Sequence, residues 1–250
     1  MKHELLAVGR RLWVPPRRFD ERTPEMVDLP DADPVLLRGE LRNLRIINRY
    51  FGGLAAVRRA LMPMVMSAAP GPALHVLDLA TGSGDQAVAM ARTFRRLGKR
   101  ADIVAVDIND AVLADARDHA AGFDEIRFER GDVRALTYPE RSFDIVLCSL
   151  ALHHFSRTAA VRILQDMNRL CRIGFIVNDL SRSYLALACA WLYTRTTTTN
   201  VMTRTDAIAS VLAAFTRDEL ARMTEDAGVG SLEISRARFF RLIAVKRKEE

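Results

Sequence analysis

Lysine is nearly missing from this 250-residue chain, which has four lysines beside 33 arginines. The net charge of +6 is scattered, with no basic block. Nucleic-acid surfaces instead gather their charge on one face, often with aromatic stacking platforms, so no nucleic-acid partner is expected. Cysteine is also scarce. Cys148, Cys171 and Cys189 are odd in number and far apart, which excludes a disulfide framework and a Cys-x-x-Cys zinc site. Long apolar runs are lacking as well. The longest, Tyr184 to Tyr193, is well short of the roughly 20 residues needed to cross a bilayer, so stable membrane insertion is not expected. The N-terminus carries Lys2, Glu4, Arg10 and Arg11 in place of the continuous apolar core of a secretory signal. A reducing, cytoplasmic setting is the expectation.

What is present is ordinary globular material, 49% hydrophobic and 27% charged, in a length suited to one α/β domain with appended helices. The first 34 residues hold Pro15, Pro16, Pro24, Pro30 and Pro34. Proline fixes φ and removes a donor, so this reads as an extended arm. From Val35, Leu37, Leu41, Leu44 and Ile47 recur at helical spacing. Gly52-Gly53 breaks the pattern, and Leu54, Val57, Ala60, Leu61 and Val65 continue it to a stop at Pro70-Gly71-Pro72. Residues 1–70 thus form an arm and a helical lid, and 71–250 an α/β domain.

Within that domain five apolar runs alternate with helical patterns: Val76 to Ala80, Ile103 to Ile108, Ile126 to Glu129, Phe143 to Leu150, and Gly174 to Val177. This is the mark of βαβ units around a parallel sheet. Past Asp179 a helical insertion at about 183–215 is broken by Thr196 to Thr199. Thr216-Arg217-Asp218-Glu219 has the form of a capping box. Leu232 to Arg238 and Leu242 to Val245 read as a closing antiparallel pair.

The chemistry collects at strand ends. A strand ending in Asp78, then Gly82-x-Gly84 and a helix, lets the backbone approach a ligand where a side chain would collide. Asp107 ends the second strand, where a carboxylate can accept both hydroxyl protons of a ribose. Asp132 follows Gly131 after the third, where it can receive an adenine amino group. Each aspartate alone could be a cap or a turn residue. Together with the region of Leu150, all fall on the carboxyl edge of a parallel sheet, where ligands of such sheets bind.

Val76-Leu77-Asp78-Leu79-Ala80-Thr81-Gly82-Ser83-Gly84-Asp85 resembles the first motif of class I S-adenosylmethionine-dependent methyltransferases, in the form seen in ubiquinone/menaquinone-type enzymes. Val104-Ala105-Val106-Asp107, Arg130-Gly131-Asp132-Val133 and Phe143-Asp144-Ile145-Val146-Leu147 are similar to later motifs. The likeness covers about residues 70–180. Many members have a third glycine where this chain has Ala80. The segments 41–53 and 178–183 resemble bacterial methyltransferases of polyketide and phenolic-lipid pathways.

The resemblance implies a Rossmann-like, seven-stranded, mostly parallel sheet with a closing antiparallel hairpin. It also implies S-adenosylmethionine held by Arg49, Asp78, Ala80, Gly82, Gly84, Asp85, Asp107, Ile108, Asp132, Val133, Ser149 and Leu150. The expected substrate is a small aromatic, polyketide or quinone-like molecule, methylated on a hydroxyl or carbon by a monomer or homodimer. Tyr50, Phe51, His153, Asn178, Asp179, Arg182 and Arg204 are its expected contacts. Asp179 could equally cap the following helix. Tyr184, Trp191 and Phe215 are further candidates to roof the cleft, though core packing suits any one of them.

A base is wanted near the fourth strand end, and His153-His154 follows it, with an imidazole pKa near neutrality. The alternative is that these histidines cap a helix or pack on the cofactor. No metal is expected, because adjacent residues in an extended or turning segment point apart. A nicotinamide-dependent oxidoreductase is the competing enzyme, since Gly82-x-Gly84-x-x-Ala87 also satisfies the dinucleotide pattern. It is disfavoured by the long helical N-terminus and by the lack of a Tyr-x-x-x-Lys pair. A non-catalytic cofactor-binding partner subunit is the other alternative.

Overall fold

The computed structural model describes residues 14–68 and 73–248. The charges read at Lys2, Glu4, Arg10 and Arg11 and the Pro70-Gly71-Pro72 stop lie outside the described residues. Seven strands form one sheet in the order β3-β2-β1-β4-β5-β7-β6: β1 Leu74–Leu79, β2 Ala101–Asp107, β3 Ile126–Arg130, β4 Phe143–Ser149, β5 Cys171–Leu180, β6 Glu233–Ala237 and β7 Arg241–Arg247. The first five are parallel, and β7 runs antiparallel to both β5 and β6. Eight α-helices accompany them among the described residues: α1 Pro34–Tyr50, α2 Gly53–Ser67, α3 Asp85–Arg96, α4 Asp110–His119, α5 Arg157–Leu170, α6 Tyr184–Thr197, α7 Val201–Ala213 and α8 Arg217–Asp226. The Rossmann-like sheet and its closing hairpin are as expected. Among the described residues no helix is long and apolar enough to cross a membrane.

The central strands are apolar on both faces, as a sheet covered on both sides requires. Period-two alternation sorts their side chains into two cores. Leu77, Leu79, Val104, Val106, Val146 and Phe175 face Ile163, Leu164, Leu220 and Met223 of α5 and α8. Val76, Ile103, Ala105, Ile145, Leu147 and Ile176 face Leu61, Met64, Ala87, Ala91 and Phe94 of α2 and α3. The helices start where the sequence supplies caps. Asp33 accepts from the Val35 and Leu36 amides with Pro34 at the first turn of α1, which satisfies donors that no helical carbonyl can reach. Thr216 and Glu219 complete the capping box of α8. The fifth strand is longer than the apolar run Gly174 to Val177 because β7 pairs with it from Gly174 to Leu180. Gly174 is required there: an added Cβ would lie 2.1 Å from the Lys246 carbonyl oxygen.

Residues 14–33 run without regular structure apart from one 3-10 turn, Met26–Asp28, consistent with an extended arm. Many contacts hold that arm down. Arg17 donates to the carbonyls of Ala213, His153 and Phe155 and lies against the rings of Phe19 and Phe215. The Met26 and Val27 amides donate to the Asp206 carboxylate on α7.

Two predictions follow from burial and backbone. Ala80 has φ of 50°, a left-handed conformation that costs an L-residue about 1–2 kcal/mol. Ala80→Gly should therefore raise stability by about 1 kcal/mol in denaturant unfolding, with S-adenosylhomocysteine binding retained. Glu40 on α1 is 3% exposed, and burial pushes its carboxyl from 4.5 up to about 7. The folded state then holds this proton to higher pH than the unfolded state, so stability falls as pH rises from 4.5 to about 7. Glu40→Gln should remove up to about 3 kcal/mol of that loss, seen as a melting temperature that drops less between pH 5 and pH 8.

Candidate active site

Strand order reverses at β1 and β4, and the connections after these strands depart in opposite directions, opening a crevice beyond their carboxyl ends. A cavity of about 750 Å³ lies there, within the range of small-molecule sites. Its floor is Ala80, Gly82, Asp107, Ile108, Gly131, Asp132, Val133 and Leu150. Its wall is Leu41 and Leu44 of α1 with Ala209, Leu212 and Ala213 of α7. Glu25 and Asp28 of the arm and His153 and His154 after β4 complete it.

The turn after β1 is fixed from below. Thr81 donates its amide to the Val106 carbonyl at 2.9 Å and its hydroxyl to Asp78 at 2.6 Å. Asp78 is 1% exposed, and burial pushes its carboxyl up to about 7. It shapes the turn and does not line the cavity. Gly82 has φ of 54°, and a Cβ placed on it meets nothing within 4 Å, so the turn is open toward the cavity. Its amide donates to Asp107 Oδ2 at 2.9 Å, while the Asn109 amide donates to Oδ1 at 3.1 Å. Each oxygen retains a lone pair for a hydroxyl of a bound ribose. The open glycine backbone, the carboxylate one strand away and the cavity volume fit a nucleoside-bearing cofactor.

Other residues singled out in the sequence sit elsewhere. A Cβ on Gly84 would press on Phe128 and Ala116, so this glycine serves packing. Asp85 is buried against Asn48 and the charge of Arg241. Ser149 accepts hydrogen bonds from Gln86 and Asn178 below the cavity floor. Asp132 lies on the floor, with both carboxylate oxygens held by Arg134 at 2.7–3.0 Å.

Several expected contacts are corrected by the structure. Arg49 borders a separate cleft between α2 and α3. Tyr50 is exposed, and Phe51 packs edge-on against Tyr193 and Phe239. Arg204 donates to the carbonyls of Thr198 and Arg195, closing the end of α6. Arg182 is buried, donating to the Pro15 and Ala214 carbonyls and pairing with Glu219; it pins the arm and the α7–α8 link. Asn178 is buried beneath Ser149 and Leu150. Asp179 does not cap the next helix, a role taken by Ser183.

Asp179 instead accepts from the His153 amide at 3.0 Å and meets His153 Nδ1 at 2.6 Å. Burial works against its charge, but His153 and the Leu180 amide outweigh burial and hold the carboxyl below its ordinary value. His153 is 2% exposed, and its Nε2 lies 3.8 Å from Glu25 Oε1. His154 repeats the pattern, with Nδ1 2.6 Å from Asp28 and Nε2 3.9 Å from Glu25 Oε2. Burial opposes a charge on His154, yet Glu25 and Asp28 prevail and push its pKa up to about 10. The two rings do not point apart: their centroids are 4.3 Å from each other, because the 3-10 turn Leu152–His154 curls both toward the arm. Arg17, Glu25 and Asp28 were missed by sequence reasoning. They lie about 130 residues before the histidines, on a segment whose prolines signal irregularity and nothing more.

A ligand crevice at the switch point of a doubly wound sheet with a closing antiparallel hairpin defines the class as nucleoside-cofactor enzymes of Rossmann-like architecture. Residues 76–174 match the family model described as a methyltransferase domain. The ubiquinone/menaquinone biosynthesis C-methyltransferase UbiE of Xanthomonas campestris is 34% identical over 136 residues, covering 52% of this chain and 46% of that protein. The chain spans about half the length of the curated relatives it matches. Among solved structures, the CurJ carbon methyltransferase aligns with a TM-score of 0.65 at 11% identity, over 86% of this chain and 61% of that one. A SAM-dependent methyltransferase from Aquifex aeolicus aligns at 0.57 and 14%, over 85% and 97%. The chain carries a class I methyltransferase domain, of the kind that uses S-adenosylmethionine as cofactor.

Asp107→Ala removes the carboxylate that holds the Gly82 amide and faces the cavity. It should weaken S-adenosylhomocysteine binding by about 1–3 kcal/mol, the scale of a charge-assisted hydrogen bond, measured by titration calorimetry. Unchanged affinity would take Asp107 out of the ribose site.

Proposed function

We propose that the chain transfers the methyl group of S-adenosylmethionine to a hydroxyl oxygen, or to an activated carbon, of a small aromatic, quinone-like or polyketide acceptor in bacterial specialised metabolism. The observation that carries this reading is the placement of the His153–His154–Glu25 cluster in the cavity that also holds Gly82 and Asp107. When bound, the cofactor supplies an already activated methyl, so no covalent enzyme intermediate is needed. The protein aligns the acceptor and stabilises its ionised form. Asp179 fixes the His153 tautomer, leaving Nε2 as the atom turned to the cavity. Leu41, Leu44, Ala209 and Leu212 offer an apolar wall to a planar acceptor.

The relatives are consistent with this class, one titled a quinone C-methyltransferase and one a carbon methyltransferase. Arg49, Tyr50, Phe51, Arg182 and Arg204 have no part in the reading, being engaged elsewhere. Ser149 and Asn178 support the cavity floor from behind.

Phenolic and polyketide acceptors incubated with methyl-labelled S-adenosylmethionine should yield a labelled product, and locating the label separates oxygen from carbon transfer. His153→Ala should lower turnover about 10²- to 10⁴-fold while S-adenosylhomocysteine affinity stays within about twofold of the parent. Binding of NADH without S-adenosylhomocysteine would overturn the assignment in favour of an oxidoreductase.

A further inference from the structure

Glu25, His153 and His154 offer one carboxylate and two imidazole nitrogens whose ligating atoms all lie within 4.8 Å of one another. Each Glu25 oxygen faces a different ring, at 3.8 and 3.9 Å. These gaps are too long for hydrogen bonds. They are close to the roughly 3–3.5 Å that separates neighbouring ligands held about 2.1 Å from one ion.

Three further observations point the same way. Both histidines turn Nδ1 to a carboxylate at 2.6 Å, Asp179 for His153 and Asp28 for His154. That outer contact is the one that orients metal-binding histidines and raises their basicity, and it leaves both Nε2 atoms directed inward. Glu25 is itself placed, since Ser210 Oγ lies 2.8 Å from each of its oxygens. The charges also leave room for a cation, with three carboxylates, Glu25, Asp28 and Asp179, gathered around two imidazoles. Arg17 crosses nearby but spends its donors on the carbonyls of Ala213, His153 and Phe155.

We propose that Glu25, His153 and His154 form a two-histidine, one-carboxylate site for a divalent transition-metal ion that binds the acceptor's oxygen. Inward shifts of about 1 Å bring the three atoms to bonding distance. Three protein ligands leave coordination positions open, and these face the cavity that would hold the acceptor. The ion's contribution is electrostatic: it favours the ionised oxygen of a phenol or enol, whose proton leaves to solvent. The acceptor's oxygen or adjacent carbon then forms the new bond to the methyl as the methyl–sulfur bond breaks, its electron pair staying on sulfur. No oxidant or reductant takes part.

The inference deepens the transferase reading and rests on it for the identity of the acceptor, but the ion is tested without cofactor or acceptor. The full chain is freed of metal by chelator and titrated with Zn²⁺ by calorimetry and with Co²⁺ by visible absorption. One ion per chain is expected, with Co²⁺ d–d bands of a low-coordinate nitrogen–oxygen site. Glu25→Gln and His154→Ala should each weaken binding by at least about 100-fold, and Asp28→Asn by about 10- to 100-fold. S-adenosylhomocysteine binding by the same variants serves as the measure of folding and should stay within about twofold.

Failure of the parent to bind either ion below millimolar concentration would overturn the proposal, as would Co²⁺ bands that survive Glu25→Gln. A parent that binds S-adenosylhomocysteine but neither ion loses the metal site and keeps the transferase reading. One that binds Co²⁺ through Glu25 but not S-adenosylhomocysteine loses the transferase reading and keeps the site.

Discussion

The pairing of β1 with β4 sets the rest of the molecule. Val76 to Leu79 lie beside Ile145 to Cys148 in parallel register, yet the chain leaves β1 toward β2 and leaves β4 toward β5. Two connections that part at one edge cannot fill the space between them, and a crevice follows from topology before any side chain is chosen. The sequence furnishes each bank separately. Gly82 opens one without a side chain, while the 3-10 turn Leu152–His154 brings two imidazoles to the other.

Backbone strain marks the same place. Ala80 and Leu150, with φ of 50° and 55°, both line the cavity. Left-handed conformations in such residues persist only where the surroundings over-determine them. At Leu150 the amide is held by the Asn178 carbonyl at 2.7 Å, and at the neighbouring turn Thr81 is held by Val106 and Asp78. Stability is thus given up locally to aim the chain ends, and the apolar cores on both sheet faces offset the cost. Asp78 and Asn178 belong to this support: both carry chemistry-bearing groups, and both are spent on geometry beneath the cavity.

The sheet and its edge were legible in the sequence because their cues are local. Alternating apolar runs, Gly82 and the aspartates after each strand depend on neighbours a few residues away. The helix starts were legible for the same reason, as in the Thr216–Glu219 box. Arg182, Arg204 and Arg49 misled because an arginine's charge says nothing about which carbonyls lie within its reach. Buried Arg182 binds two main-chain oxygens and a glutamate from three separate segments. Glu25 and Asp28 went unseen for the converse reason. Nothing in an irregular, proline-bearing segment encodes where it will lie, and their role emerges only when Asp206 and Ser210 of α7 seize the turn that carries them.

That anchoring gives the arm a part in the chemistry as well as in the packing. His153 and His154 each have one nitrogen fixed from outside the cavity, and Glu25 is the group that stands between the remaining two. Without the arm, Arg17 would leave the Ala213, His153 and Phe155 carbonyls unpaired, and Glu25 and Asp28 would leave the imidazoles facing an open crevice. A buried carbonyl without a donor and a buried imidazole without a counter-charge each cost free energy. The arm is therefore held by the same polar groups that build the site. Catalytic geometry and arm closure form one equilibrium, because the residues that would seat the arm are also those that complete the acceptor's surroundings.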